Sequence, residues 1–238
     1  MKTLRSLLLA CLVMFLCDVA VGQQESEFTE LLSSIEKRYK TLEAYSIKTV
    51  YQYSLAEDRK KVLENMDGVI HKGEGNYYSR IDKTETIFID QSFLKINHNQ
   101  RAVLYSGFVN GQRPNPLEFS RISDYFCQID KEVEGDLIRF ILHMDPAAKV
   151  PYKTIELVVD PITKQLKAQH LLLKPGQQTP SFDPNASTTQ EGVISIYFEE
   201  FDQPNYPKKI FELDNYLVVS DEVSLAKNFA TYRLYQSK

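Results

Sequence analysis

The four histidines are the side chains best suited to binding a metal ion, and their spacing argues against such a site. His71, His98, His143 and His170 stand about 27 to 45 residues apart, with no HExxH motif, no close histidine pair and no cysteine cluster. Metal sites that can be read from sequence usually draw ligands from short segments. We therefore expect no metal and no cofactor, and we place each histidine on a strand surface or in a loop.

Nucleophilic and acid-base catalysis have no better support. The chain has no G-x-S-x-G motif. Cys127 is a lone cysteine beside the aromatic pair Tyr125-Phe126, which favours an inert, packed thiol. Glu199 and Glu200 are adjacent strand residues, so their carboxylates should point to opposite faces. Gly73-Glu74-Gly75 lacks the following helix that a phosphate-binding loop requires. The sequence predicts no catalytic residue, and a hydrolase is only a third hypothesis.

Composition limits the class of partner. The 238 residues carry 28 Lys and Arg against 32 Asp and Glu, a formal net charge of -4, whereas nucleic-acid-binding proteins normally have a basic patch or stripe. We expect no nucleic acid as a partner. The length supports one substantial core, and no repeat or linker separates domains. We therefore predict a single domain over residues 23–238 and a monomer.

The first 22 residues have the pattern of a signal peptide. Lys2 and Arg5 precede an apolar run over residues 7–17, and the small residues of Ala20-Val21-Gly22 predict cleavage before Gln23. The apolar run is too short to span a bilayer comfortably. We expect an exported protein that resides in the periplasm.

Lipid attachment at Cys11 is a weaker alternative, because cutting there would leave a hydrophobic core of only about four residues. After cleavage before Gln23, Cys127 is the one cysteine that remains, and it cannot form an intrachain disulfide. Export without disulfides suits a bacterial envelope.

Apolar periodicity predicts one long helix followed by an antiparallel sheet. Residues 27–44 place apolar side chains at three- and four-residue steps, which indicates an amphipathic helix with Ser26 as its N-cap. Residues 68–105 contain four or five short strands whose connections are too short for a parallel crossover. Further strands are predicted at residues 45–54, 137–144, 152–159, 165–173, 191–201, 211–220 and 231–236. Residues 55–66 are predicted to be a hairpin connection or a strand extension, 116–125 a short helix, and 107–116 and 174–190 loops.

These strands carry more apolar and aromatic side chains than so little helix can cover. A curved sheet with incomplete cover leaves a concave apolar cavity. Alternation along the strands predicts the residues that line it: Tyr51, Phe88, Leu94, Phe140, Leu142, Leu157 and Phe198. A slip of one residue in a strand would reverse the faces. The alternative is that the same side chains simply fill the core.

The order of elements resembles the LolA-like family of periplasmic carriers of outer-membrane lipoproteins. The resemblance covers nearly the whole chain and includes the segments LLSSIEKRYKTLEAYSIKTVYQY, GEGNYYSR, TIFIDQSFLKINHNQRAVLY and TIELVVDPITKQLKAQHLLL. In the last segment the family's hairpin pattern matches Ile155, Leu157, Val159, Asp160, Thr163 and Leu166. The resemblance implies an α+β fold, in which a curved antiparallel sheet forms an unclosed β-barrel covered by the N-terminal amphipathic helix and short helices.

The resemblance also implies a lid over the cavity. The helix residues Leu31 and Ile35 would contact the cavity from the lid, and family carriers tie the lid shut with a basic residue from an early strand. Lys48 on the first strand and Arg80 in the meander are the two candidates, and neither lies in a recognisable motif.

The leading hypothesis from the sequence is a non-enzymatic periplasmic carrier that shields the acyl chains of a lipoprotein or lipid. Its partners would include membrane-bound donor and acceptor proteins. Burial of chain methylenes, about 0.8 kcal/mol each, would drive binding. The rival hypothesis is an envelope sensor or structural interaction protein on the same fold with a filled core, because a fold does not determine a function.

Overall fold

The computed structural model describes residues 25–107, 122–175, 191–201, 203–220 and 222–237. These residues form one long helix and a large, mostly antiparallel, curved sheet that does not close, which confirms the predicted fold class. The predicted signal peptide and most of the segments 107–125 and 174–190 lie outside the described residues. No described helix is long and apolar enough to cross a membrane.

The helix α1 spans residues 25–41, and short 3₁₀ helices are described at Ile122–Asp124, Lys208–Phe211, Leu213–Asn215 and Lys227–Phe229. The described strands, in chain order, are β1 (Tyr45–Leu55), β2 (Asp58–Gly73), β3 (Asn76–Ile81), β4 (Thr84–Ile89), β5 (Ser92–Asn97), β6 (Ala102–Ser106), β7 (Phe126–Glu134), β8 (Leu137–Met144), β9 (Tyr152–Asp160), β10 (Gln165–Leu173), β11 (Gly192–Glu200), β12 (Leu217–Val219), β13 (Val223–Leu225) and β14 (Arg233–Gln236).

The chain divides into two compact units. Unit 1 comprises Met1–Tyr39 and Phe119–Val193, and unit 2 comprises Lys40–Glu118 and Ile194–Lys238. The single domain predicted for residues 23–238 stays a prediction.

Unit 1 contains most of α1 and four antiparallel strands in the order β10-β9-β8-β7. Phe28, Leu31, Ile35 and Tyr39 are buried on one side of the helix, as its three- and four-residue apolar spacing requires. The helix already includes Ser26, so this serine is not the N-cap that the sequence suggested. Strand β7 was not predicted, because its charged sequence lacks a clear apolar alternation.

In unit 2 the strand order is β14-β6-β5-β4-β3-β2-β1-β11, with most of β11 in this unit. The pairs from β1 to β6 are antiparallel, which confirms the predicted meander, and β14 is parallel to β6. The long β2 shows that residues 55–66 continue the sheet. The prediction that residues 211–220 join the main sheet was wrong, because β12 pairs with β13 in a separate two-stranded sheet.

One face of the meander in unit 2 is covered by the C-terminal part of the chain. Ile87, Leu94 and Ile96 are fully buried there and pack in one cluster with Tyr216 and Leu217. The apolar side chains of the meander that point to this face therefore form part of the core of unit 2.

A buried polar contact fixes the chain after β11 on strands β1 and β2. Ser46 Oγ accepts a hydrogen bond from the backbone N–H of Asn205 (3.0 Å) and lies 2.9 Å from His71 Nδ1. The His71 ring also packs against the rings of Tyr78 and Tyr206. Burial, helped by the charge of Arg80, lowers the pKa of His71 to about 4. His71 is thus a core residue, and its assignment to a strand surface or loop was wrong.

The low pKa of His71 makes stability depend on pH. Between pH 6.5 and pH 4 the unfolded chain binds a proton at this imidazole that the folded chain does not, so the free energy of unfolding should fall as the pH falls through this range. The contribution is on the order of 1 kcal/mol per pH unit. Urea unfolding of wild type and His71→Gln, followed by circular dichroism at several pH values, measures it. Wild type should lose stability more steeply than the variant below pH 6.5. Equal slopes would contradict a neutral, buried His71.

Candidate functional site

An apolar cleft lies between α1 and the strands β8 and β9, entirely within unit 1. We call it the helix cleft, and seven side chains line it: Phe28, Leu31, Leu32, Ile35, Phe140, Leu157 and Val159. The open space in it is about 10 Å³, which is room for about one water molecule. Ligand pockets usually measure roughly 300–1,000 Å³. The side chains of the helix therefore fill the cleft almost completely in this structure.

Strand register explains why these side chains meet. Phe140 on β8 stands opposite Leu157 on β9, so both project from the same face of the sheet. The ring of Phe28 meets those of Phe126 and Phe140 edge to face, with centroids 5.8 and 5.1 Å apart. The structure thus brings Phe140 and Leu157 together with Leu31 and Ile35 on the helix. That these residues form a ligand cavity and its lid stays a prediction. Leu142, two residues from Phe140, is fully buried.

An ion pair links the first turn of α1 to strand β7. Lys131 Nζ lies 2.6 Å from Glu27 Oε1, and Lys131 stands opposite Phe140 in the sheet register. Both side chains keep part of their surface exposed, so the pair contributes only about 0–1 kcal/mol. Apolar burial is therefore the main force that holds this part of the helix on the strands.

Unit 2 presents a second surface, in which side chains align across neighbouring strands β1 to β5. In register, Tyr45 stands opposite Lys72, Lys72 opposite Tyr77, Tyr77 opposite Phe88, and Phe88 opposite Phe93. We call these five residues the aromatic row. Tyr77, Phe88 and Phe93 are half-buried, and the rings of the last two lie 4.9 Å apart. From Lys72 to Phe93 the row crosses three strand spacings, about 14 Å.

Lys72 is the polar member of the aromatic row, and the sequence analysis did not single it out. The residue is buried, with a relative exposure of 7 %. Its ammonium donates hydrogen bonds to the carbonyl oxygens of Lys40 (2.9 Å) and Leu42 (2.7 Å) and lies 5.8 Å from the centroid of the Tyr77 ring. Burial lowers the pKa of Lys72. Lys40 lies in the last turn of α1 and Leu42 directly follows the helix. Carbonyl groups at a helix end lack helical partners and favour a cation.

The two basic residues predicted to contact the lid lie elsewhere. Lys48 is exposed on β1, with its ammonium 4.0 Å from a carboxylate oxygen of Glu199. Arg80 is exposed on β3. Because Lys48 is three residues from Tyr45, and Arg80 three residues from Tyr77, both point to the sheet face opposite Lys72. A lid contact by either residue stays a prediction that the geometry does not favour.

The remaining predicted cavity residues do not all lie on the same face of the sheet in unit 2. Tyr51 lies on the same face of β1 as Tyr45 and is half-buried, and burial raises its pKa. Phe88 belongs to the aromatic row, whereas Leu94 stands opposite Ile87 on the other face and packs in the core of unit 2. Phe198 is half-buried on β11. Their role in ligand binding stays a prediction.

The histidines and the cysteine of the described residues were candidates for chemistry in the sequence. No group of three or more His, Cys, Asp or Glu side chains could hold a metal ion in this part of the chain. His143 Nε2 lies 2.8 Å from a carboxylate oxygen of Asp130, and His98 bridges Glu85 and Tyr232. Cys127 is exposed on β7, so the expectation of a packed thiol was wrong.

Comparison with known proteins returned distant structural neighbours. No family model and no curated protein matches the chain. A DUF1329 family protein from Desulfovibrio piger is 12% identical, with 77% of this chain and 95% of that chain covered and a TM-score of 0.38. A LolA superfamily protein from Nitrosomonas europaea is 13% identical, with 72% and 90% covered and a TM-score of 0.30. An outer membrane lipoprotein-sorting protein domain from Vibrio parahaemolyticus is 11% identical, with 78% and 96% covered and a TM-score of 0.34.

The protein from Nitrosomonas europaea is named after the LolA family that the sequence resembles, and the domain from Vibrio parahaemolyticus is named for lipoprotein sorting. At these TM-scores the likeness by itself supports no inference about function.

The contact of Lys72 with the end of α1 generates a test. Lys72→Met keeps the aliphatic stem but removes two hydrogen bonds from a charged donor, each worth about 1.5–3 kcal/mol. The amides around residues 40–44 should then exchange with deuterated solvent at least about tenfold faster. Hydrogen exchange followed by mass spectrometry measures this change. Lys48→Met, an exposed lysine of the same size, is the matched control and should leave exchange unchanged. Equal protection in wild type and Lys72→Met would contradict the contact.

Proposed function

We propose that the chain is a non-enzymatic periplasmic carrier that binds acyl chains of a lipoprotein or lipid for transfer toward the outer membrane. The observation that carries the proposal is the helix cleft: an apolar face of β8 and β9 covered by a helix whose own contacts there are almost entirely apolar. Export of the chain, loading by a membrane-bound donor protein and unloading by a membrane-bound acceptor protein belong to the same proposal.

The energies of the closed and loaded states are comparable, which is what a reversible carrier needs. Burial of Phe28, Leu31, Ile35 and Tyr39 at about 1.5–3 kcal/mol each stabilises the closed helix by roughly 6–12 kcal/mol. An acyl chain of about ten methylenes contributes about 8 kcal/mol on the same scale. A bound chain can therefore offset the helix contacts that it displaces. The Glu27–Lys131 ion pair adds too little to prevent the exchange.

The small size of the cleft favours a second candidate function. About 10 Å³ of open space is what a well-packed core leaves, because interiors contain few voids larger than a water molecule. On that reading the chain is an envelope sensor or structural interaction protein, and the helix never leaves the strands. The two functions differ in whether an acyl chain enters between Leu32 and the sheet.

A tryptophan at the cleft would report entry of an acyl chain. The natural sequence contains no tryptophan, so Leu32→Trp places a single indole at a half-buried position that lines the cleft. A carrier should show strong, saturable quenching of this fluorescence by a brominated fatty acid, because bromine quenches indole on contact. The measurement is a fluorescence titration of the purified chain, with circular dichroism to confirm folding.

Ile162→Trp provides the matched control, since Ile162 is 83% exposed in the turn between β9 and β10. This control should show no saturable quenching. Absence of saturable quenching in Leu32→Trp as well would contradict the carrier function and favour the filled-core alternative.

A further inference from the structure

Three basic side chains that are far apart in sequence lie at one end of the sheet in unit 2. Lys83 directly precedes β4, Arg101 directly precedes β6, and Arg233 is the first residue of β14. Because β4, β5, β6 and β14 are neighbours in the sheet, the three residues lie within three strand spacings, about 14 Å. We call them the basic end.

Backbone and side-chain contacts fix the turns that carry the basic end. The N–H of His98 donates a hydrogen bond to the carbonyl oxygen of Lys83 (2.9 Å), and the N–H of Arg233 donates one to the carbonyl oxygen of Arg101 (2.8 Å). The His98 ring also places Nδ1 2.9 Å from the hydroxyl oxygen of Tyr232, the residue before β14. The spacing of the three charges is therefore set by the sheet.

The charges of the basic end are turned to solvent. All three side chains are exposed, and within the described ranges none of them forms an ion pair. The neighbouring Asp82 is exposed as well, and the carboxylate of Glu85 accepts from His98. Several basic residues elsewhere do have a carboxylate within 4.0 Å, namely Lys48, Lys131, Arg139 and Lys153. The basic end is thus a cluster of uncompensated positive charge on a chain whose formal net charge is -4.

The arrangement of these charges indicates the kind of partner. A single phosphate or carboxylate is bound by donors that converge on it, whereas these side chains start from separate positions along a line of about 14 Å. Tyr235 and Leu104 stand opposite each other in the register of β14 and β6, and both are exposed beside the basic end. Tyrosine is enriched where a membrane meets water. A line of cations next to an exposed tyrosine and leucine matches the surface of an anionic membrane.

We propose that the basic end docks on an anionic phospholipid surface, with Lys83, Arg101 and Arg233 against the headgroup phosphates. Each basic residue near such a surface strengthens binding about fivefold, so three of them give weak and reversible attachment. The docking does not depend on the helix cleft, because a chain that binds no acyl group still presents the same charges to a membrane.

Flotation with lipid vesicles tests the docking. The purified chain is mixed with vesicles of phosphatidylcholine alone or of phosphatidylcholine with phosphatidylglycerol, and the vesicle-bound fraction is measured. Wild type should partition into the anionic vesicles at least about tenfold more strongly than into the neutral ones. Added salt should reduce this preference, because it screens exposed charges.

A triple variant removes the basic end. Lys83→Gln, Arg101→Gln and Arg233→Gln together should weaken partition into the anionic vesicles at least about tenfold. Glutamine suits these exposed positions, so circular dichroism should show an unchanged fold.

The matched control removes the same number of charges elsewhere in unit 2. It combines Lys60→Gln on β2 with Lys208→Gln and Lys209→Gln in a 3₁₀ helix, and all three of these lysines are exposed. Its net charge equals that of the triple variant, and it should partition like wild type.

Loss of binding in the triple variant alone supports the basic end as the docking surface. Equal partition of wild type into both kinds of vesicle overturns it, and so does binding that survives in the triple variant or falls equally in the control. Failure of wild type to bind any vesicle also overturns it and directs the search to an acidic protein. None of these results decides the acyl carrier function, which the quenching of Leu32→Trp tests separately.

Discussion

Four apolar side chains on one side of α1 must be kept from water, and the arrangement of unit 1 follows from that requirement. Phe28, Leu31, Ile35 and Tyr39 are buried, while the polar side of the helix stays exposed. A lone helix cannot cover such a stripe, so it packs on the apolar face that Phe140 and Leu157 present. The packing of α1 on this face completes the core of unit 1. The same packing covers the helix cleft, the only surface of unit 1 that we assign to a ligand.

The two ends of α1 are held by different chemistry. Near its start, the part-exposed pair of Glu27 and Lys131 contributes little and can break in solvent. At its end, Lys72 donates from a buried position to carbonyl groups that have no helical partner. A change in the charge around Lys72 should therefore destabilise the end of α1 more than added salt destabilises its first turns.

Sequence periodicity predicted most elements because alternation and three- to four-residue spacing report which side of an element is apolar. It placed β8 at residues 137–144, as observed. It missed β7, whose charges suit its position at the edge of the sheet order. It also assigned Phe88 and Leu94 to one cavity, although these residues stand on opposite faces.

Lys72 could not be found from sequence, because nothing in His71-Lys72-Gly73 distinguishes a buried lysine from a turn residue. Only the strand register places it between two tyrosines.

The central claim, that the apolar surfaces receive an acyl ligand, is tested most directly by native mass spectrometry of the chain purified from a bacterial periplasm without detergent, followed by organic extraction. The account predicts a fatty acid or other acyl lipid in a defined ratio to protein. A protein mass without ligand that also stays unchanged after incubation with fatty acid would contradict it.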